Sequence, residues 1–291
     1  MIKALILSMR PPQWVKNSVL FAGLIFSFNL FQINFFLKTL IAFILFCFLT
    51  SGLYILNDII DLKSDRAHPL KSKRPIASGE FKSSIAIFFS ILFIILSLIL
   101  SFYLNQIFGL VSIAYLILNL LYSKYLKNMV ILDVMAISLG FVLRAVAGAV
   151  VINVEISSWL IVCTTLLALF LSFGKRRHEI VLLENKAEEH RKSLAEYSPY
   201  FLDQLISVVT ASTVVAYAFY TLSPEVEAKL GTTHMALTIP FVLYGVFRYL
   251  YLIHQKEKGG SPTWVLLTDK PLIIDILLWF FSVILIVYYK R

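Results

Sequence analysis

The stretch Leu56-Asn57-Asp58-Ile59-Ile60-Asp61-Leu62-Lys63-Ser64-Asp65-Arg66 places three carboxylates and an amide at the end of an apolar run. On a helix that advances 100° per residue, the side chains of Tyr54, Asn57, Asp58, Asp61 and Asp65 lie within an arc of about 100°. Carboxylates on one face repel one another unless a cation stands between them, and Mg²⁺ prefers oxygen ligands. A solvated acidic helix end is the structural alternative, but ionisable groups beside hydrocarbon are costly and usually functional. The face that carries Asn57, Asp58, Asp61 and Asp65 is therefore a predicted cation site.

Hydrophobic residues make up 59% of the 291 positions, and the mean hydropathy of +0.83 is well above that of a soluble domain. Apolar runs long enough to cross ~30 Å of hydrocarbon as helices recur along the chain. The composition therefore predicts an all-α, polytopic membrane protein with a single domain over residues 1–291. The predicted spans number nine and cover residues 17–36, 39–60, 83–103, 106–122, 129–152, 157–174, 201–222, 234–254 and 271–289.

The net charge of +9 would suggest a nucleic-acid partner in a soluble protein, but here its distribution follows membrane topology. Placing the N-terminus inside puts twenty Lys and Arg residues in cytoplasmic segments and four outside. This asymmetry is what the positive-inside rule requires for an odd number of spans. We therefore expect a multi-pass protein of the inner or plasma membrane whose acidic stretch faces the cytoplasm, and no nucleic-acid partner.

The loop that follows the acidic stretch is interrupted by proline and rich in cations, with Lys71, Lys73 and Arg74 close together. A carboxylate cluster followed by cations suits a metal-bound diphosphate, because the metal bridges some oxygens while the cations neutralise the others. Positive-inside statistics account for such cations but not for the carboxylates beside them. The sequence therefore predicts a diphosphate site at this membrane boundary.

The fifth predicted span contains two charged residues, Asp133 and Arg144, within its apolar run. Eleven residues correspond to about three helical turns, so the two lie on one face about 16 Å apart and cannot pair directly. Each needs another partner or a wet cavity. Arg144 is typical of an anion ligand, and a buried ion pair with another helix is the structural alternative.

The longest charged stretch begins after the sixth predicted span at Lys175 and continues to Tyr197. Lys175 and Glu179 are neighbours at i and i+4 on one helical face. This stretch follows span six as the acidic stretch follows span two. We therefore expect the two charged loops to meet over one cavity.

The pattern Asn57-Asp58-x-x-Asp61-x-x-x-Asp65 resembles the first aspartate-rich motif of the UbiA superfamily of intramembrane prenyltransferases. The resemblance extends over nearly the whole chain. It implies an all-helical bundle whose central cavity opens to the lipid and whose cytoplasmic cap binds Mg²⁺ and a diphosphate.

Typical members carry a second Asp-x-x-x-Asp motif after span six, where this chain has Gly174-Lys175-Arg176-Arg177-His178-Glu179. That departure resembles the decaprenyl-phosphate phosphoribosyltransferase branch, whose donor is phosphoribosyl diphosphate and whose acceptor is a polyprenyl phosphate. Further matches to that branch are Arg10-Pro-x-Gln13-Trp14-Val15-Lys16-Asn17, Gly140-Phe141-Val142-Leu143-Arg144-Ala145 with Gly148, Leu194-x-x-Tyr197, and Ser261-Pro262-Thr263 ahead of Asp269-Lys270-Pro271-Leu272.

The resemblance also implies residue roles, with Mg²⁺ as the cofactor. Asn57 and Asp61 become the principal metal ligands, with Asp58 and Asp65 as helpers. The implied catalytic residues are Asp58, Asp61, Lys127 and Arg144. The implied substrate contacts are Lys16, Tyr54, Arg66, Lys71, Lys73, Arg74, Lys127, Arg144, Lys175, Arg176 and Glu179.

Two alternatives stay open at this point. An enzyme of the same fold would transfer a polyprenyl chain from its diphosphate to an aromatic acceptor. A transporter or flippase for a lipid-linked sugar would also suit many spans with charges inside them, although transporter sites usually lie at mid-membrane rather than at its boundary. The oligomeric state is open, with a homo-oligomer among the alternatives.

Overall fold

The computed structural model describes residues 1–67, 71–183, 192–256 and 260–289. Within these ranges every regular element is a helix, which confirms the predicted all-α class. Eight of the described helices are long and apolar enough to cross a membrane. Parts of the predicted cationic loops, residues 68–70, 184–191 and 257–259, lie outside the described residues, as do Lys290 and Arg291.

The chain begins with helix α1, Ile2–Met9, followed by a ten-residue 3-10 helix, Pro11–Leu20, and the short helix α2, Phe21–Phe26. The predicted span over 17–36 is therefore wrong as a single helix. Its interruption coincides with the polar residues of the sequence Ser-Phe-Asn-Leu-Phe-Gln over 27–32. Phe28 there has φ 62°, which a continuous right-handed helix does not accommodate.

Each of the other eight predicted spans overlaps one long helical segment. The remaining helices of the first half are α3 Ile33–Ile60, α4 Leu62–Ala67, α5 Ser83–Leu104, α6 Gln106–Lys124 and α7 Leu132–Val151. Those of the second half are α8 Ser158–Leu183, α9 Lys192–Ala195, α10 Pro199–Leu222, α11 Pro224–Leu230, α12 Ile239–His254, α13 Pro262–Thr268 and α14 Lys270–Tyr288. Short 3-10 helices occupy Lys71–Lys73, Leu126–Asn128 and His234–Thr238.

The chain divides into two compact units, so the single domain over 1–291 stays a prediction. The first unit comprises Met1–Leu24, Gln32–Met129 and Leu143–Glu155. The second unit comprises Ile25–Phe31, Val130–Val142 and Ile156–Arg291. Helix α7 contributes its first half to the second unit and its second half to the first.

In the first unit a small apolar core fixes the surroundings of the acidic stretch. Ala4 and Met9 of α1 pack with Ile55 of α3, and with Ile76 and Phe81 of the loop that follows the acidic stretch. All five side chains are buried. Burying an apolar side chain of this kind stabilises the fold by about 1.5–3 kcal/mol, so the core holds α1 and the loop against the end of α3.

Gly148 of α7 lies at a close backbone approach between two helices of the first unit. A Cβ added there would lie 1.9 Å from the backbone oxygen of Leu20, at the end of the first 3-10 helix. A backbone oxygen cannot rotate aside as a side chain can. The glycine therefore allows the 3-10 helix to pack directly on α7.

We expect Gly148→Ala to lower the free energy of unfolding by about 1–3 kcal/mol, the usual cost of overpacking a core. Gly174→Ala is the matched control, because a Cβ at Gly174 meets only side-chain atoms, the nearest being Cδ1 of Ile253 at 2.6 Å. Thermal unfolding of both purified variants measures the difference. Equal unfolding temperatures for the two would show that the contact with Leu20 does not constrain α7.

Candidate functional site

The acidic stretch crosses the junction between α3 and α4 without losing its helical spacing. Asp61 is the residue that follows α3, with φ −89° and ψ 9°. Its backbone N–H donates to the backbone oxygen of Asn57 at 2.9 Å, and the backbone N–H of Asp65 donates to the backbone oxygen of Asp61 at 2.8 Å. Asn57, Asp61 and Asp65 therefore follow one another at intervals of one turn, as the sequence predicts.

Two of the three aspartates are bound by arginines. Nη2 of Arg10 donates to Oδ1 of Asp58. Nη1 of Arg74 donates to the same oxygen at 3.0 Å and to Oδ2 of Asp65 at 2.6 Å. Asp58 and Asp65 are each only 2% exposed. Their charges are therefore compensated by the protein itself, which favours the predicted helper role over direct metal binding.

The other half of the stretch, Asn57 and Asp61, is more accessible and has lysine and serine partners instead of arginines. Nζ of Lys127 donates to Oδ1 of Asp61 at 2.6 Å, and Nδ2 of Asn57 donates to Oδ2 at 3.2 Å. Oγ of Ser123 donates to Oδ1 of Asn57 at 3.0 Å. A quarter of the Asp61 side chain is exposed. This pair of oxygen-bearing side chains is the part of the stretch that an incoming ligand can reach.

The donor chemistry at Asn57 and Asp61 fits Mg²⁺, although the described residues contain no cluster of three His, Cys, Asp or Glu that could hold a metal. Mg²⁺ is usually bound by one or two carboxylates, with substrate phosphates and water completing its octahedron. One amide oxygen and one carboxylate on adjacent turns meet that requirement. The predicted ligand role of Asp58 and Asp65 remains a prediction and would require their arginine contacts to open.

Arg10 is a site residue that sequence reasoning left without a role. It follows α1 in the left-handed conformation, with φ 56° and ψ 60°, which is uncommon for a residue with a side chain. Its guanidinium lies 5.1 Å from the ring centroid of Tyr54, the predicted substrate contact, and bonds Asp58. The sequence signal for Arg10 is its position at the head of the Arg-Pro-x-Gln-Trp motif.

Arg144 lies in a buried polar cluster of the first unit and is 5% exposed. Its Nε donates to Oδ1 of Asn17 at 2.8 Å, and its Nη2 donates to the Tyr115 hydroxyl at 2.6 Å. Both of these partners are neutral, so the two contacts orient the guanidinium without themselves neutralising its charge. The anion contact by Arg144 stays a prediction.

The pKa of Lys16 is shifted by burial, and Arg144 of this cluster contributes to the shift. Burial lowers the pKa of Lys16 from 10.5 to about 8, and the positive charges of Arg144 and Arg10 contribute to the same shift. An anion bound beside this ammonium would replace the water that it has lost and would favour its charged form. Lys16, Arg144 and Arg10 therefore form a cationic group within the first unit.

The remaining predicted substrate contacts in the first unit are Arg66, at the end of α4, and Lys71 and Lys73, in the loop that follows α4. Nε of Arg66 donates to the Ala77 oxygen at 3.2 Å, so this side chain braces the loop. Lys71 is half-buried and Lys73 is exposed, on the 3-10 helix that precedes Arg74. Substrate contacts by Arg66, Lys71 and Lys73 stay predictions.

In the second unit the cationic segment of α8, residues 175–177, is largely paired with carboxylates. Arg176 is 1% exposed, and its Nε donates to Oδ2 of Asp133 at 2.6 Å. Its Nη1 donates to Oε2 of Glu179 at 2.5 Å. Nζ of Lys175 lies 3.6 Å from Oε1 of Glu179, and 41% of the Lys175 side chain is exposed.

Two consequences follow for the predicted site. The partner that Asp133 requires is Arg176, so a phosphate contact by Arg176 would have to open a buried ion pair. Lys175 is the more accessible cation of this segment. That the acidic stretch and this segment meet over one cavity stays a prediction.

Residues 18–288 match the UbiA prenyltransferase family. The chain is 34% identical over 293 residues to the decaprenyl-phosphate phosphoribosyltransferase of Corynebacterium glutamicum, across 99% of this chain and 86% of that relative. It is 29% identical over 303 residues to the decaprenyl-phosphate phosphoribosyltransferase of Mycolicibacterium smegmatis, across 100% and 94% of the two chains. A solved UbiA homolog from Archaeoglobus fulgidus bound to GPP and Mg²⁺ superposes with a TM-score of 0.72 at 22% identity, across 97% and 99%. The similarity to this solved structure confirms the predicted UbiA-like helical fold.

The arginine contacts predict a specific loss of stability. Replacing Arg74 by Gln leaves Asp65 buried without this cation, and breaking a buried ion pair typically costs ~3–5 kcal/mol. Because Arg10 still binds Asp58 and Arg74 is partly exposed, we expect a loss at or below the lower end of that range. Lys73→Gln removes the same charge from an exposed neighbour and should change stability by less than about 0.5 kcal/mol. Thermal unfolding compares the two, and equal unfolding temperatures would contradict the structural role of Arg74.

Proposed function

The chain belongs to the UbiA prenyltransferase family, and on that basis we propose that it transfers the 5-phosphoribosyl group of phosphoribosyl diphosphate to decaprenyl phosphate or a similar polyprenyl phosphate, releasing diphosphate. The observation that carries this function is the near-full-length similarity to two decaprenyl-phosphate phosphoribosyltransferases, at 34% and 29% identity. The protein is accordingly a membrane-embedded transferase. Its acidic stretch and cationic segments suit substrates that are both anionic.

The reaction exchanges one bond at C1 of the ribose for another. An oxygen of the lipid phosphate donates an electron pair to C1, while the bond from C1 to the diphosphate oxygen breaks and the diphosphate leaves with that pair. The phosphate nucleophile is already ionised at neutral pH, so a strong general base is not required. The chain's contribution is then mainly positioning and charge stabilisation.

Asn57 and Asp61 are the side chains that would hold Mg²⁺, with Asp58 and Asp65 supporting them from their arginine contacts. When bound, Mg²⁺ neutralises the negative charge that develops on the departing diphosphate. Lys127 donates to Asp61 at 2.6 Å, and in this proposal a second N–H of its ammonium donates a hydrogen bond to a diphosphate oxygen. Arg74, held by Asp58 and Asp65, keeps the loop cations beside the acidic stretch.

The substrates carry more anionic groups than a prenyl diphosphate does, and the cationic residues match that excess. Phosphoribosyl diphosphate has a 5-phosphate, and the acceptor adds a lipid phosphate. We assign Lys16 and Arg144 of the first unit, and Lys175 of the second unit, to these groups. A site without such cations would leave the additional anions unpaired.

The charge distribution supports an orientation in the cell membrane. The loops that follow α3 and α8 are rich in Lys and Arg, so the acidic stretch and the cationic segment of α8 both face the cytoplasm in this proposal, where phosphoribosyl diphosphate would be available as a soluble donor. The positive-inside asymmetry of the sequence carries this orientation. A lipid acceptor reaches the same boundary from within the bilayer.

The prenyltransferase alternative is separated by one assay. Purified protein with Mg²⁺ and phosphoribosyl diphosphate should release diphosphate only when polyprenyl phosphate is added, and mass spectrometry should find the phosphoribosylated lipid. Prenyl diphosphate with an aromatic acid is the parallel reaction. Product formation in that mixture, and not in the first, would overturn the proposed function. Movement of lipid across the membrane without a covalent product would favour the transporter alternative.

Asp61→Asn should remove most Mg²⁺-dependent turnover while the protein stays folded, because this carboxylate is partly exposed and serves the ion rather than the core. Loss of one charge-assisted ligand is worth about 1.5–3 kcal/mol, or a rate loss of roughly tenfold or more at limiting Mg²⁺. Asp203→Asn is the control, because it removes a carboxylate paired with Arg177 in the second unit. Turnover of Asp61→Asn that matched wild type across a Mg²⁺ titration would show that the metal lies elsewhere.

Lys16 predicts a pH dependence. Its pKa of about 8 means that the ammonium is lost as the pH rises through 8, and with it an anion ligand. The value of kcat/KM for phosphoribosyl diphosphate, which reports ionisations of the free enzyme, should fall through an inflection near pH 8. Lys16→Met should lack this inflection, whereas Lys3→Met, on the exposed part of α1, should keep it. An inflection that survives in Lys16→Met would reassign the titrating group.

The same shift has a consequence for stability. Since the folded-state pKa of Lys16 lies below its ordinary value of 10.5, the unfolded chain binds the proton more tightly. The Lys16 contribution to stability therefore increases as the pH rises from about 8 to 10.5. Activity and stability should thus change in opposite directions over this interval.

A further inference from the structure

Three buried side chains of the second unit form a connected polar network. The Tyr197 hydroxyl donates to Oδ1 of Asp133 at 2.9 Å, and Nε of Arg176 donates to Oδ2 of Asp133 at 2.6 Å. Asp133 is 0% exposed, Arg176 is 1% exposed and Tyr197 is 5% exposed. Both oxygens of the Asp133 carboxylate are therefore used, one by each partner.

The network continues from the interior toward the accessible end of α8. Arg176 donates from Nη1 to Oε2 of Glu179, while the other oxygen of Glu179 lies 3.6 Å from Nζ of Lys175. Lys175 and Glu179 are one turn apart, at the i, i+4 spacing that brings side chains together. The position of Glu179, and with it the position of the Lys175 ammonium, depends on a guanidinium that Asp133 holds in place.

The backbone beside the network is strained. Ile131, immediately before α7, has φ 67°, a conformation that is an outlier for a β-branched residue. Its N–H donates to the Tyr197 hydroxyl at 2.6 Å. Burial and the adjacent Asp133 raise the pKa of Tyr197. The hydroxyl therefore stays protonated and donates a hydrogen bond to Asp133. One hydroxyl therefore holds both the strained turn and the carboxylate.

A buried ion pair is weak support for stability alone, because desolvation of the two charges offsets most of their attraction. Apolar residues of similar volume would fill the same space at comparable stability. The combination of a buried pair and a strained turn, joined by one hydroxyl, is instead suited to fixing a side-chain geometry.

We propose that Asp133 and Tyr197 are positioning residues for donor binding: acting through Arg176 and Glu179, they hold the Lys175 ammonium where it binds a phosphate group of phosphoribosyl diphosphate. This inference rests on the proposed function and deepens it. Arg176, the buried member of the cationic segment, then serves the site without touching the substrate. The accessible cation next to it makes the contact.

The adjacent pair Arg177–Asp203 provides a matched comparison. Nε of Arg177 donates to Oδ1 of Asp203 at 2.5 Å, and this pair connects α8 to α10. It lies next to Arg176 in sequence, but its described contacts do not include Lys175 or Glu179. Arg177→Gln therefore tests the loss of an ion pair on the same segment without the proposed positioning path.

The experiment measures steady-state kinetics of the full-length protein in detergent for Asp133→Asn, Tyr197→Phe, Lys175→Gln, and for Asp133→Asn and Tyr197→Phe each combined with Lys175→Gln. We expect each single variant to raise KM for phosphoribosyl diphosphate roughly tenfold, the scale of one lost charged hydrogen bond, with kcat and the KM for polyprenyl phosphate changed less than about twofold. Because the network acts through Lys175, the double variants should be no worse than Lys175→Gln alone. Arg177→Gln combined with Lys175→Gln should show independent effects.

Additive effects of Asp133→Asn and Lys175→Gln, or equal increases in KM for both substrates, would overturn the inference. Tyr197→Phe keeps it testable if Asp133→Asn does not fold, because only one hydroxyl is removed. Wild-type protein that shows no phosphoribosyl transfer would instead reject the proposed function. In that event the same variants are measured with prenyl diphosphate. If the single changes then have additive effects on the KM for that donor in the double variants, the positioning role is rejected as well.

Discussion

A carboxylate next to hydrocarbon needs a cation, and this requirement shapes both units of the protein. In the first unit, Asp58 and Asp65 are buried against the guanidinium of Arg74, which joins the end of α3 to the loop that follows it. In the second unit, Asp133 is buried against Arg176. An isolated buried charge costs several kcal/mol, whereas a hydrogen-bonded pair avoids most of that cost. The pairs therefore determine which loops can lie beside which helices.

The pairs differ in accessibility, and this difference separates support from chemistry. Asp133 and Arg176 have side chains that are 0% and 1% exposed, so their contact is shielded from water. The side chains of Lys127 and Asp61 are 16% and 25% exposed. A partly solvated pair of this kind exchanges partners at little cost, because water solvates each charge when the contact opens. The accessible pairs are accordingly the ones that we assign to metal and diphosphate.

Helical spacing predicted the shared acidic face, and the length of the apolar runs predicted eight long helices, since both depend on local sequence. The length criterion failed at 17–36, where a long apolar average concealed the polar residues of 27–32 and the left-handed Phe28. The pairing of Arg176 with Asp133 joins residues 43 positions apart, and no local pattern encodes such a contact. The same applies to Arg10, whose contact with Asp58 spans 48 positions. The sequence could identify which charges needed partners, but only the tertiary structure could identify those partners.

The division of the acidic stretch into an arginine-bound pair and a metal-binding pair is tested most directly by a structure with Mn²⁺ and phosphoribosyl diphosphate bound. Mn²⁺ replaces Mg²⁺ with the same preference for oxygen ligands, and its density identifies the ion. We expect the ion on Asn57 and Asp61, with Asp58 still bonded to Arg10 and Arg74, and Asp65 to Arg74. An ion bound by Asp58 and Asp65, with these arginines displaced, would contradict the assignment.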